Sequence, residues 1–228
     1  MDGLLLIDKP VDWTSHDVVA KLRGILKERR IGHAGTLDPF ATGLLLLGIG
    51  KGTKALHTLT GAPKTYLATI TLGATSTTFD PEGDITQTPS PIPPSRETLE
   101  KALDTFRGGY AQRAPLFSAK KRAGTPLYTL ARKGLATEEM RPVKDVLIDK
   151  IEVRSFEWPL VELEISCGSG TYIRSLGDDL GHVLGVGAYV STLRRTHIGP
   201  YDIGRAVSFD PIPSPELIQG AIIPLPSP

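Results

Sequence analysis

Gly32-His33-Ala34-Gly35-Thr36-Leu37-Asp38-Pro39-Phe40-Ala41-Thr42-Gly43 runs directly into Leu44-Leu45-Leu46-Leu47-Gly48-Ile49. The second half is an apolar run of strand length, bounded by glycine. The first half is a loop whose three glycines permit close backbone approach to a ligand and dihedrals that other residues avoid. Within it, Pro39 biases Asp38 toward an extended conformation. An aspartate on a stiff loop beside a buried strand is a candidate nucleophile or base. Local chemistry alone, however, favours an ordinary Asp-Pro turn.

Upstream of this stretch, Thr14-Ser15-His16-Asp17 fits a capping box, and Val18, Val19, Leu22, Ile25 and Leu26 recur at helical spacing. The pattern predicts a helix running to about Arg30. Downstream, Tyr66, Ala68, Ile70 and Leu72 alternate with Leu67, Thr69 and Thr71, as in a strand with one buried face. Residues 88–94 are a proline-rich extended connector and not a domain boundary. After it, Ser95 caps a helix bearing Leu99, Ala102, Leu103 and Phe106, stopped by Gly108-Gly109. Residues 146–156 and 160–167 read as adjacent strands, and a helix beginning near Thr171 buries Ile173, Leu176, Leu180 and Leu184. Strands joined irregularly by helices and hairpin-like turns predict an α+β fold in a single domain over residues 1–228. The tail after Arg205 reads as short and proline-rich.

The bulk numbers exclude several classes. With 228 residues, 40% hydrophobic and 22% charged, the chain is an ordinary soluble protein able to bury one good core, or at most two small ones. The runs at residues 3–7 and 44–47 are far too short to span a bilayer. Met1-Asp2-Gly3 is acidic where a secretory signal is basic, and Cys167 stands alone, so a reducing cytoplasm is expected. The net charge of +1 does not mark a nucleic-acid binder, but its distribution is informative. Arg113, Lys120, Lys121, Arg122, Arg132 and Lys133 fall in one stretch without an acidic residue. That stretch suits a phosphate backbone about as well as a solvated surface. It is broken by Pro115, Gly124 and Pro126, which predicts a surface excursion with a short helix near residues 127–133. Gly50-Lys51 lacks the glycine at 45 and the Ser or Thr at 52 of a phosphate loop. The five histidines show no zinc spacing, and there is no Gly-x-Ser-x-Gly elbow. No metal, nucleotide or redox cofactor is expected.

The glycine-rich loop resembles the signature loop of the TruB-type pseudouridine synthases, shared by their Cbf5/dyskerin relatives. Further motifs carry the resemblance in the family's order over roughly residues 3–205. They are Asp8-Lys9-Pro10 with Thr14-Ser15-His16-Asp17, Lys64-Thr65-Tyr66 with Leu72-Gly73, Pro115-Leu116-Phe117-Ser118-Ala119-Lys120-Lys121, Gly170-Thr171-Tyr172-Ile173-Arg174, and Leu193-Arg194-Arg195. The resemblance implies a pseudouridine synthase fold, a central mixed, mostly antiparallel sheet flanked by helices, with an RNA-gripping thumb at about residues 108–140. It implies isomerisation of uridine to pseudouridine at position 55 in the T loop of tRNA, by base flipping and an aspartate nucleophile. Asp38 matches the catalytic aspartate, Tyr66 the tyrosine that stacks on the base, and Arg174 the arginine that pairs with the aspartate. Substrate contacts are expected from His33, Gly35, Thr36, Leu193, Lys9, Lys64, Lys120, Lys121 and Arg122. Alternatives from local chemistry stay open: Tyr66 as core packing, Arg174 paired with Asp178 on its own helix, and His33 bonded to loop backbone. The expected partner is the T arm of tRNA, with the protein a monomer needing no other protein. Departures are Ala114-Pro115 in place of two prolines, Phe117 in place of tyrosine, an altered turn at residues 79–84, and no room for the family's C-terminal PUA domain. Rival readings are a non-catalytic tRNA-folding chaperone and a synthase of the Cbf5 kind acting on other RNA uridines.

Overall fold

The computed structural model describes residues 1–118, 120–122 and 124–225, with the side chain of Lys121 outside that description. In chain order the elements are β1 (Gly3–Lys9), α1 (Ser15–Leu26), β2 (Ile31–His33), β3 (Thr42–Ile49), α2 (Leu56–Thr60) and β4 (Lys64–Leu72). The hairpin β5 (Ala74–Ser76) and β6 (Ile85–Gln87) precedes α3 (Arg96–Asp104) and β7 (Tyr110–Arg113). Then come β8 (Lys121–Arg122), β9 (Thr125–Pro126), α4 (Leu127–Arg132), β10 (Val143–Val146), β11 (Ile148–Glu157) and β12 (Leu160–Cys167). The chain finishes with α5 (Ile173–Leu184), β13 (Ala188–Ile198), β14 (Tyr201–Asp202), β15 (Val207–Ser208) and α6 (Pro215–Gly220). Among the described residues no helix is long and apolar enough to cross a membrane.

Two compact units form, one from Met1–Leu67 with Leu193–Pro228 and one from Ala68–Thr192; the chain passes from one to the other within β4 and within β13. In the first unit, β3 is the organising strand. It pairs antiparallel with β1 (Leu5↔Leu47, Lys9↔Gly43) and with β2 (His33↔Leu47), and parallel with the end of β13 (Arg194↔Thr42). Because side chains alternate along β3, Leu45, Leu47 and Ile49 join Val18, Val19, Leu22 and Ile218 on one face. Leu44 and Leu46 join Leu4, Leu6 and Ile198 on the other. Burial on both faces explains why the strand reads as a continuous apolar run and not as an alternation.

The capping box at Thr14 and Asp17 forms as expected, with Val18, Val19, Leu22 and Leu26 buried. The helix ends at Leu26, short of Arg30, because Lys27 takes a left-handed conformation (φ 51°) that closes it. The tail is more than a proline-rich end. Ser214 caps α6, Pro215 occupies its first turn, and Ile218 is fully buried. Ile223 then exchanges backbone hydrogen bonds with Leu4 at 2.8 and 2.9 Å.

In the second unit the strand order is β11-β12-β4-β13, with β11 and β12 antiparallel. Along β12, Val161, Leu163, Ile165 and Cys167 are buried and Leu160 and Glu162 exposed, the alternation read from the sequence. Ser95 caps α3, which buries Leu99, Ala102 and Leu103, while Phe106 is buried just beyond it. The proline-rich connector lies inside this unit. The mixture of parallel and antiparallel strands with helices against them is the α+β architecture expected.

Candidate active site and RNA-contacting surface

Three buried side chains set the loop that carries Asp38. Arg195 on β13, 1% exposed, donates from Nε to the Leu44 carbonyl at 2.8 Å, from Nη2 to Gly35 O at 3.1 Å and from Nη1 to Thr36 O at 3.5 Å. Lys9 at the end of β1, 0% exposed, donates to the carbonyls of Trp13 (2.6 Å), Pro10 (2.8 Å) and Pro39 (3.3 Å). Ser15 Oγ accepts from the Leu37 N–H at 2.8 Å. The carbonyls or N–H groups of residues 35, 36, 37 and 39 are thereby held on both sides of Asp38, which is itself half-buried. Gly43 is required where β3 begins: its φ is +102°, and a Cβ there would lie 2.3 Å from the Arg195 carbonyl. Arg194 grips Asp8 with two hydrogen bonds of 2.6 and 3.0 Å, tying β13 to β1.

His33, at the end of β2, is half-buried, and its Nδ1 has no hydrogen-bond partner among the described residues. Burial first, and the Arg195 charge second, hold its pKa below the ordinary imidazole value, so the ring is neutral at pH 7. Tyr66 and Leu193, each 7% exposed, belong to this same unit. Lys64 is also 7% exposed and donates to the carbonyls of Ala62 (2.7 Å) and Thr60 (2.9 Å). Lys9 and Lys64 therefore sit beneath the surface as backbone clamps, whereas Thr36 is exposed on the loop.

The second unit holds Arg174, Lys120, Lys121 and Arg122. Arg174, 4% exposed in the first turn of α5, meets Asp80 at 3.2 Å and donates to the carbonyls of Thr78 (3.0 Å) and Phe117 (2.9 Å). Asp178 lies instead beside His182 (3.6 Å), which removes the same-helix pairing as an account of Arg174. Burial pushes the Asp178 pKa up to about 6. Helix α5 starts at Ile173, two residues later than expected, and Tyr172 caps it without a side-chain hydrogen bond. Gln112, 2% exposed on β7, takes over that task. Its Oε1 accepts from the Tyr172 N–H (2.8 Å), and its Nε2 donates to the Tyr172 carbonyl (3.0 Å) and to the Tyr110 hydroxyl (2.6 Å). Tyr110 donates in turn to Asp179 at 3.0 Å. Lys120 and Arg122 are exposed; the side chain of Lys121 and all of Ala119 lie outside the described residues.

A family sequence model described as "TruB family pseudouridylate synthase (N terminal domain)" matches residues 23–173, and "tRNA pseudouridylate synthase B C-terminal domain" matches residues 174–214. The chain belongs to the TruB family. Relatives in that family include the tRNA pseudouridine synthase B of Geobacter sulfurreducens, 42% identical over 92% of this chain and 68% of that protein. Those of Mycobacterium tuberculosis (45% identical; 91% and 70%) and Dehalococcoides mccartyi (40%; 99% and 75%) are similar. Among solved structures, a Cbf5-Nop10-Gar1 complex matches with a TM-score of 0.73 at 31% identity, and an H/ACA RNP bound to a substrate RNA with 0.68 at 28%. The chain spans 60% and 51% of those two solved chains.

Sequence reasoning gave no role to Arg195, Gln112 or Asp80. Arg195 carried a signal, an arginine at an inward position of a strand, which needs buried acceptors. Asp80 lay in a turn that read only as altered. Gln112 carried no local signal, since the main-chain groups of Tyr172 that it holds are 60 residues away in the chain.

Proposed function

We propose that this chain isomerises a uridine of tRNA to pseudouridine in the T loop, at position 55, with Asp38 as the nucleophile. The observation that carries the reading is the loop around Asp38, whose backbone is fixed by Arg195, Lys9 and Ser15 before any substrate arrives. A covalent step gains most from a nucleophile whose position is already set. Membership of the TruB family, and relatives bearing the name tRNA pseudouridine synthase B, support tRNA as the substrate.

In the reaction the N1–C1′ bond breaks, the base turns, and C5 bonds to C1′ while C5 gives up a proton and N1 ends with one. A uridine inside a folded loop must first be flipped out, at a lower energetic penalty than in a duplex. Tyr66 stacks on the flipped base, and Leu193 supplies apolar surface to it. His33, half-buried at the end of β2, helps hold the loop RNA on its place in Gly32-His33-Ala34-Gly35. Gly35 and Thr36 contact RNA through the loop, and Arg174 is the third catalytic residue on its place in Gly170-Thr171-Tyr172-Ile173-Arg174. Lys9 and Lys64 act by holding backbone, and Lys120, Lys121 and Arg122 meet phosphates. The test is to incubate a tRNA transcript with the purified protein and map pseudouridine along it. Conversion of the T-loop uridine is expected, and a transcript left without pseudouridine would sink the proposal.

A further inference from the structure

We propose that a pocket at the root of the thumb, within the second unit, is a subsite for one nucleotide of the bound RNA, with its phosphate held by Lys144 and Lys120. The proposal rests on the RNA-modifying function above. The pocket has a volume of about 220 Å³ and is lined by Ala114, Lys120, Lys144, Val146 and Tyr172 among others. Sites for drug-sized ligands run to roughly 300–1,000 Å³, so this one suits a fragment of a polymer better than a whole small molecule. Two of its lining side chains are ammonium groups and none is a carboxylate. That combination selects an anion.

The Lys144 ammonium makes one long hydrogen bond, 3.4 Å to the Ser169 carbonyl, and keeps donors to give. Neither Lys120 nor Lys144 joins an ion pair among the described residues. At Gly170, whose φ is +86°, a Cβ would lie 3.0 Å from Lys144 Nζ, so the glycine leaves the ammonium room. Ala114, Val146 and Tyr172 also line the pocket, a wall against which a ribose or base can rest. The wall is preset, because Gln112 holds both main-chain groups of Tyr172. Lys144 lies outside the basic stretch of residues 113–133, so the pocket adds a contact that the thumb's charge alone does not account for.

The experiment measures binding of a T-arm stem-loop RNA across a salt series for wild type, Lys144→Ala, Lys144→Arg and the control Lys101→Ala. Lys101 is exposed and paired with Glu97 on α3. Lys144→Ala should bind about three- to tenfold more weakly, and its log Kd against log salt slope should fall by about 0.7–0.9, the share of one phosphate. Lys144→Arg should restore most of both, and Lys101→Ala should change neither. Because Lys144 is exposed, the melting temperature of Lys144→Ala checks that the fold is kept. A second arm replaces single phosphates along the stem-loop, one at a time, by neutral methylphosphonates. One linkage should weaken wild type yet leave Lys144→Ala unaffected, the signature of a coupled pair. Unchanged affinity and slope in Lys144→Ala, or equal losses in Lys144→Ala and Lys101→Ala, would overturn the subsite. Pseudouridine is assayed in the same wild-type samples, so failure of the function itself shows separately as RNA left unmodified.

Discussion

Replacing Arg195 by lysine separates charge from geometry at the loop that carries Asp38. The guanidinium reaches three carbonyls, with Leu44 at 2.8 Å and Gly35 at 3.1 Å inside good hydrogen-bond range and Thr36 at its limit of 3.5 Å. A lysine keeps the charge but offers one nitrogen on a flexible stem, enough for one of the two strong bonds. The loss is then one hydrogen bond from a charged donor, about 1.5–3 kcal/mol. For a protein of this size that corresponds to a fall in Tm of about 3–12 °C. The carbonyl released is that of Gly35 or Leu44, on one side of Asp38 or the other, so the loop shifts as well as loosens. A displacement of about 1 Å costs on the order of a hundredfold in rate. Single-turnover pseudouridine formation should therefore slow by about 10- to 100-fold. Arg195 is 1% exposed, so the Kd for tRNA should stay within about twofold. A variant with lowered Tm and a wild-type rate would refute the claim that Arg195 presets the nucleophile.

Gln112→Leu should lose about 2–4 kcal/mol in urea unfolding, because three part-buried hydrogen bonds go at once. Gln112→Glu should be less stable at pH 8 than at pH 5.5, since the ionised carboxylate meets Asp179 through Tyr110 and only the protonated form can donate; equal stability at the two pH values would contradict this. The Asp178 pKa is raised by burial to about 6, so between about 4 and 6 the folded state binds more protons than the unfolded one, and stability falls as pH rises through that window. Asp178→Asn should then be more stable than wild type by about 1–2 kcal/mol at pH 7.5 and show no advantage at pH 4, measured by calorimetry. Replacing Lys120 and Arg122 together by alanine should weaken tRNA binding and lower the salt slope by about 1.4–1.8, and an unchanged slope would make them a solvated surface.

The elements that sequence resolved are those with local, repeated signals. The capping box at Thr14, the alternation along β12 and the apolar run of β3 each follow from a periodicity that tertiary packing did not override. The misplaced ends have local causes that pattern does not encode: a lysine in left-handed conformation closes α1, and Tyr172 delays α5 because a distant glutamine serves as its cap. The helix α6 was legible in Ser214-Pro215-Glu216, a capping residue followed by proline, but prolines elsewhere in the tail masked it. At the candidate site, motifs supplied the residues expected to touch RNA. The parts that hold them, Arg195 on the Gly35 carbonyl and Asp80 on Arg174, join segments over 90 residues apart and become visible only once the chain has folded.

The central claim is that Asp38 acts covalently and not as a binding group. Its most direct test is pseudouridine mapping of tRNA after incubation with wild type and with Asp38→Asn, alongside the Kd of each for the same tRNA. The account predicts conversion of the T-loop uridine by wild type, none by Asp38→Asn, and closely similar affinities for the two. Turnover by Asp38→Asn near the wild-type rate would contradict it.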